Sequence, residues 1–101
     1  MTLYSENIVM EKPQIVIEYC KKCRWLLRAS WISQELLSTF SDEIQGVTLI
    51  PSNIAGIFEI RHNNQIIWER GKKKGMPEIK ELKQKVRDLV APNKELGHID
   101  S

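Results

Sequence analysis

The stretch from Gln14 to Pro51 narrows the folds open to this chain. It begins with a β-branched run, Ile15-Val16-Ile17, within a strand-like segment Gln14–Tyr19. It ends with a second apolar run, Val47–Ile50, closed by Pro51. Between them apolar residues fall at Trp25, Ala29, Ile32, Leu36, Leu37, Phe40 and Ile44, with no internal Gly or Pro. That spacing is the stripe of an amphipathic helix and predicts one over 24–43, ended by Gln45-Gly46. Residues 20–46 are enough chain for a right-handed crossover, so the second strand is expected to lie parallel to the first. The unbroken apolar run at 15–17 reads as a central strand covered on both faces. Leu26, Leu27 and Trp31 fall outside the strict stripe and widen the apolar arc at the start of the helix. Asp42 and Glu43, at its negative end, are expected to cost it some stability.

The remainder adds a hairpin and a second helix. Ile57–Arg61 and Gln65–Glu69 read as paired strands, with Ile57, Phe58, Ile60, Ile66, Ile67 and Trp68 carrying the apolar surface. The turn falls at His62-Asn63-Asn64, where Asn takes positive φ at low cost. After a basic loop, Arg70–Gly75, Pro77 suits the first position of a helix. Ile79, Leu82, Val86, Leu89 and Val90 continue it at helical spacing until Pro92. The order is therefore β-α-β-β-β-α. A four-stranded mixed sheet covered by two helices makes an α/β sandwich of thioredoxin-like type. Residues 1–13 read as a flexible leader, 14–92 as the single domain, and 93–101 as a C-terminal tail whose apolar residues are Leu96 and Ile99.

Where the first strand hands over to the first helix stands Cys20-Lys21-Lys22-Cys23, which holds both cysteines of the chain. The thiolate is the attacking form, and three features favour it here: a helix N-terminus, the cations Lys21, Lys22 and Arg24, and a second thiol within reach. Residues i and i+3 in a first helical turn bring two sulfurs close enough to join. One cysteine can then attack a substrate disulfide while the other resolves the mixed disulfide. Two blander readings stand beside this one. The pair can be small buried hydrophobes, or half of a zinc site. The lysines argue against the first. Against the second, the histidines, His62 and His98, lack the spacing of a finger.

Composition excludes several classes. Two cysteines in 101 residues are no secreted disulfide framework. A net charge of +2 makes no case for nucleic acid. No apolar run reaches the length of a membrane span, and a start carrying Glu6 and Glu11 is unlike a signal peptide. The protein is expected in the cytoplasm, where such a dithiol is catalytic or metal-binding rather than structural. Lys72-Lys73-Lys74 reads as a solvated turn, and Gly71–Gly75 lacks the Gly-Lys-Ser/Thr ending of a phosphate loop. Trp25 is either core or an apolar rim beside the thiols, and Trp31, off the stripe, leans towards the rim. Glu18 and Glu35 show no spacing that suggests acid–base hydrolysis.

Tyr19-Cys20-Lys21-Lys22-Cys23-Arg24-Trp25, followed by Arg28-Ala29 and Gln34-Glu35-Leu36-Leu37, resembles bacterial members of the selenoprotein W-like family, the Rdx group. The likeness continues through Gly56–Ile60, Ile67-Trp68-Glu69-Arg70, Gly75-Met76-Pro77, Leu82-Lys83, Val86-Arg87 and Leu96-Gly97-His98. The resemblance implies the same thioredoxin-like β-α-β-β-β-α fold and a thiol oxidoreductase linked to glutathione or to partner-protein thiols. In selenium-containing members selenocysteine occupies the position matching Cys23, and the first cysteine matches Cys20. In thioredoxin the first cysteine attacks, so the resemblance leaves both sulfurs as candidates. Met76 replaces an aromatic of the family pattern, Lys21-Lys22 replaces thioredoxin's Gly-Pro, and Pro51 is not assigned the role of thioredoxin's second-site proline. Catalysis is thus expected at Cys20 and Cys23, with Lys21, Lys22 and Trp25 near or tuning the site, no metal and no bound cofactor. Glutathione is the candidate reductant; the expected partners are thiol- or disulfide-bearing proteins or glutathione, without nucleic acid or membrane. The alternative is a non-enzymatic, redox-sensitive interaction module.

Overall fold

β1, Gln14–Cys20, is the strand on which the sheet is built. The computed structural model describes residues 12–71 and 75–97. Among these the other elements are α1 (Leu26–Thr39), β2 (Gly46–Ser52), β3 (Phe58–His62), β4 (Gln65–Glu69) and α2 (Ile79–Val90), with a short 3-10 turn at Lys21–Cys23. β1 lies parallel to β2, with Ile17 opposite Leu49, and antiparallel to β3, with Ile17 opposite Ile60. β3 and β4 form an antiparallel hairpin in which Asn63 takes φ 57°. The sheet order is β2-β1-β3-β4. This is the expected β-α-β-β-β-α arrangement, a mixed sheet with two helices of thioredoxin-like α/β type.

α1 packs on β1 and β2, α2 packs on β4, and the helices touch each other, so both cover one face of the sheet. Ile15, Ile17, Ile32, Leu36, Phe40, Phe58, Ile60, Leu82 and Val86 fill the interface with almost no solvent contact. β1 is central, as expected, but the helices cover only one of its faces. Ile15, Ile17 and Tyr19 point under them, while Val16 and Glu18 are half-buried on the other side. A three-residue apolar run hides this alternation, because Val16 suits a strand on either face. Of the expected apolar positions, Leu37, Ile50, Ile66 and Leu89 are exposed.

Several boundaries differ for local reasons. β2 runs through Pro51 to Ser52, because an edge strand tolerates the missing N–H. α1 stops at Thr39, where the Phe40 N–H still bonds the Leu36 carbonyl. Asp42 and Glu43 lie beyond it, and Glu43 pairs with Lys94 at 3.3 Å. Pro77 is buried but precedes the helix; α2 begins at Ile79, after an extended Glu78. Leu96, from the segment read as a tail, packs into the core. Leader residues 1–11, the Lys72–Lys74 loop, His98 and Ile99 lie outside the described residues.

The open face carries a three-residue ion cluster. Arg61 Nη1 donates to Glu18 Oε1 at 3.0 Å and to Glu59 Oε1 at 2.6 Å. The Arg61 guanidinium, aided by the Ser52 hydroxyl, holds the Glu18 carboxyl below its ordinary value. The folded protein therefore binds fewer protons in acid than the unfolded chain does. The stability this gives is present above Glu18's ordinary value of 4.5 and is lost as pH falls through the lower folded value. Glu18→Gln is expected to remove that contribution near neutrality and to shallow the acid limb of a plot of unfolding free energy against pH. Urea titrations across the acid range check this; an unchanged acid slope contradicts it.

Candidate dithiol site

Cys20 is the last residue of β1, and its N–H donates to the Ile57 carbonyl at 2.8 Å. The chain then makes one 3-10 turn. In that turn residues i and i+3 eclipse, which carries Cys23 back over Cys20. The Cα atoms stand 5.3 Å apart, inside the range a disulfide requires, and the two sulfurs are bonded. Arg24 follows in the left-handed region, at φ 62° and ψ 41°. Trp25 then serves as the N-cap of α1.

This arrangement corrects one expectation. The cysteines are not in the first turn of the long helix, whose first residue is Leu26. They occupy a separate turn, divided from α1 by the reversal at Arg24. Such a backbone costs a non-glycine residue about 1 kcal/mol, and tertiary contacts must hold it. Trp25 supplies them. Its ring meets Phe58 edge-on at 5.9 Å, and Phe58 meets Trp68 edge-on at 6.1 Å. The Arg70 guanidinium lies over the Trp25 ring, 4.9 Å from its centre. Trp25 thus packs on the core and borders the site at once.

The two sulfurs differ in access. Cys20 is 2% exposed, whereas Cys23 is half-buried. Lys21, Lys22 and Arg24 are exposed around the turn. Trp31, 42% exposed, and Leu27, 82% exposed, stand out from α1. Trp31 and Arg28 face Met76, Pro77, Ile79 and Lys80 across a groove of about 490 Å³. A second groove, of about 260 Å³, lies between residues 54–58 and Glu69–Gly71. Phe58 and Arg70 wall this second groove and both touch Trp25, while Ile57 holds Cys20, so it opens beside the dithiol turn.

Other candidates are placed elsewhere. Glu18 is engaged by Arg61, and Glu35 Oε1 accepts from Lys83 Nζ at 2.9 Å. Pro51 sits opposite Tyr19, and Ser52 opposite Cys20. Among the described residues no three His, Cys, Asp or Glu side chains gather as a metal site, and no helix is long and apolar enough to cross a membrane. Phe58 and Arg70 stand out only in the structure: Phe58 reads from sequence as an ordinary strand residue, and Arg70 as the first residue of a basic loop.

Fold and site define a thioredoxin-like domain bearing a bonded Cys-x-x-Cys pair. Residues 14–88 match the Rdx family, and the chain belongs to it. It is similar to a crystal structure of a selenoprotein W-related protein from Vibrio cholerae, at 56% identity and a TM-score of 0.74, over 78% of this chain and 98% of that one. It is also similar to a crystal structure of a protein from Bordetella parapertussis, at 48% identity and a TM-score of 0.75, over 79% of this chain and all of that one. No curated protein matches the chain. Family membership and the bonded pair together support a redox role.

Proposed function

We propose that the protein is a cytoplasmic thiol–disulfide oxidoreductase in cell redox homeostasis, with Cys23 as the attacking sulfur and Cys20 as the resolving one. The observation that carries this division of labour is the difference in access: Cys20 is buried at the strand end and Cys23 reaches the surface. In the reduced protein the Cys23 thiolate attacks a disulfide R–S–S–R′. A Cys23–S–S–R bond forms and R′S⁻ leaves. The Cys20 thiol gives up its proton and attacks the Cys23 sulfur, RS⁻ leaves, and the Cys20–Cys23 disulfide closes. Two electrons have passed to the substrate. A thiol reductant, glutathione or a protein dithiol, reopens the bond. Lys21, Lys22 and Arg24 supply positive charge that favours the thiolate.

Trapping tests the assignment. Cys20→Ser has lost its resolving thiol and is expected to accumulate mixed disulfides on Cys23, visible by mass spectrometry as thiol-reversible adducts. Cys23→Ser is expected to trap at least about tenfold less, because its remaining sulfur is shielded. The reverse pattern assigns the attack to Cys20. A second reading, a redox-sensitive interaction module, is favoured by the exposed Leu27 and Trp31 beside their groove. Pull-downs under reducing and oxidising conditions separate the two, since a module changes partners with redox state but turns over no disulfide.

A further inference from the structure

Two charges of the groove beside the dithiol stand outside any ion pair, Glu69 and Arg70. Glu59 faces it, but its carboxylate is held by Arg61 at 2.6 Å. Glu69 is exposed, with Oε1 turned towards Gly71. Arg70 is different. Among the described residues no carboxylate lies within salt-bridge distance of it. Its Nε is buried without a hydrogen-bond partner. The Arg70 Cζ lies 4.9 Å from the centre of the Trp25 ring, a cation–π distance that restrains the side chain beside the dithiol turn. Gly56 and Gly71 leave that part of the groove open: a Cβ at Gly56 would meet nothing within 4 Å.

We propose that Arg70 is a positioning and specificity residue that seats a carboxylate of the incoming disulfide, so that the protein selects carboxylate-bearing thiol compounds over neutral ones. The assignment rests on the dithiol reading above. Arg70 takes no part in electron transfer. It holds the substrate's anionic end in the groove while the disulfide meets Cys23, and the exchange balances as already written.

The test uses the full chain, reduced and freed of reductant, with its oxidation followed by stopped-flow tryptophan fluorescence. The probes are oxidised glutathione, which carries carboxylates, and bis(2-hydroxyethyl) disulfide, which carries none. Arg70→Met is expected to slow the reaction with oxidised glutathione about tenfold, the size of one charge-assisted hydrogen bond lost, and to leave the neutral disulfide within about twofold. Arg70→Lys is expected to restore part of the loss, because charge is kept and the fork is not. Equal losses with both probes, or no loss with either, overturn the assignment. A second measurement separates it from the dithiol reading: the disulfide form is titrated with S-methylglutathione while the Trp25 indole signal is followed by NMR. If the signal shifts in the wild type and not in Arg70→Met, yet neither disulfide reacts, the seat stands and the oxidoreductase reading falls. If no shift occurs in the wild type, the seat falls.

Discussion

Phe58→Ala is expected to lower the unfolding free energy by about 4 kcal/mol, the usual cost of emptying a buried phenylalanine site. Phe58 is fully buried at the start of β3, opposite Tyr19 of β1, and meets both tryptophan rings edge-on. Trp25 is held as the N-cap of the helix that begins after it and Trp68 by its strand, so both rings are anchored in regular structure. Since single domains are stable by only about 5–15 kcal/mol, the variant sits near the edge of folding. Phe58→Leu keeps most of the volume and should cost about 1.5 kcal/mol. The pair of substitutions also reads the coupling between core and site. Trp25 rests on Phe58, and the Arg24 reversal that sets the cysteine turn apart from α1 rests on Trp25. In Phe58→Leu, still folded, dithiol exchange should therefore slow with every disulfide alike. Urea unfolding in the oxidised and reduced forms, with exchange rates measured beside it, checks both parts. A loss below about 2 kcal/mol for Phe58→Ala means the pocket relaxes and the aromatic stack is not the support described here.

The frame was legible because it depends on period. The stripe through Ala29, Ile32, Leu36 and Phe40 and the β-branched run at 15–17 are local signals with one dominant physical solution each. The Cys20–Cys23 spacing was legible for the same reason, since chemistry demands it. What escaped depends on contacts between distant residues. Nothing about arginine marks Arg24 as left-handed; the conformation is held by Trp25 packing on Phe58, from a strand far along the chain. Arg70 looks like a solvated charge after a strand, and only folding lays it over Trp25 and leaves its Nε unmet. The end of α1 was misjudged because the apolar pattern continues through Phe40 and Ile44, which are buried without being helical. Periodicity reports which residues face the core, and here that face outlasts the helix.

The ion pair between the two helices should respond unequally to loss of its two members. Lys83 lies between Leu82 and Val86 on α2 and is 5% exposed at its side chain, while its partner Glu35 on α1 is 35% exposed. Glu35→Ala leaves a buried ammonium with no carboxylate. That cost reaches 3–5 kcal/mol for a pair buried on both sides; with one partner reaching water it should be about 2 kcal/mol. Lys83→Met removes the charge itself and keeps an apolar stem of similar length, so its stability is expected within about 1 kcal/mol of the wild type, on either side. The asymmetry follows from desolvation: the pair adds little net stability, but half a pair is worse than none. Thermal and urea unfolding of both variants and of the double variant decide it. The double variant should recover most of what Glu35→Ala loses, since no ammonium remains to strand. If the two single variants lose the same amount and the double loses their sum, each side chain acts through its own packing, and the desolvation account of this seam is wrong.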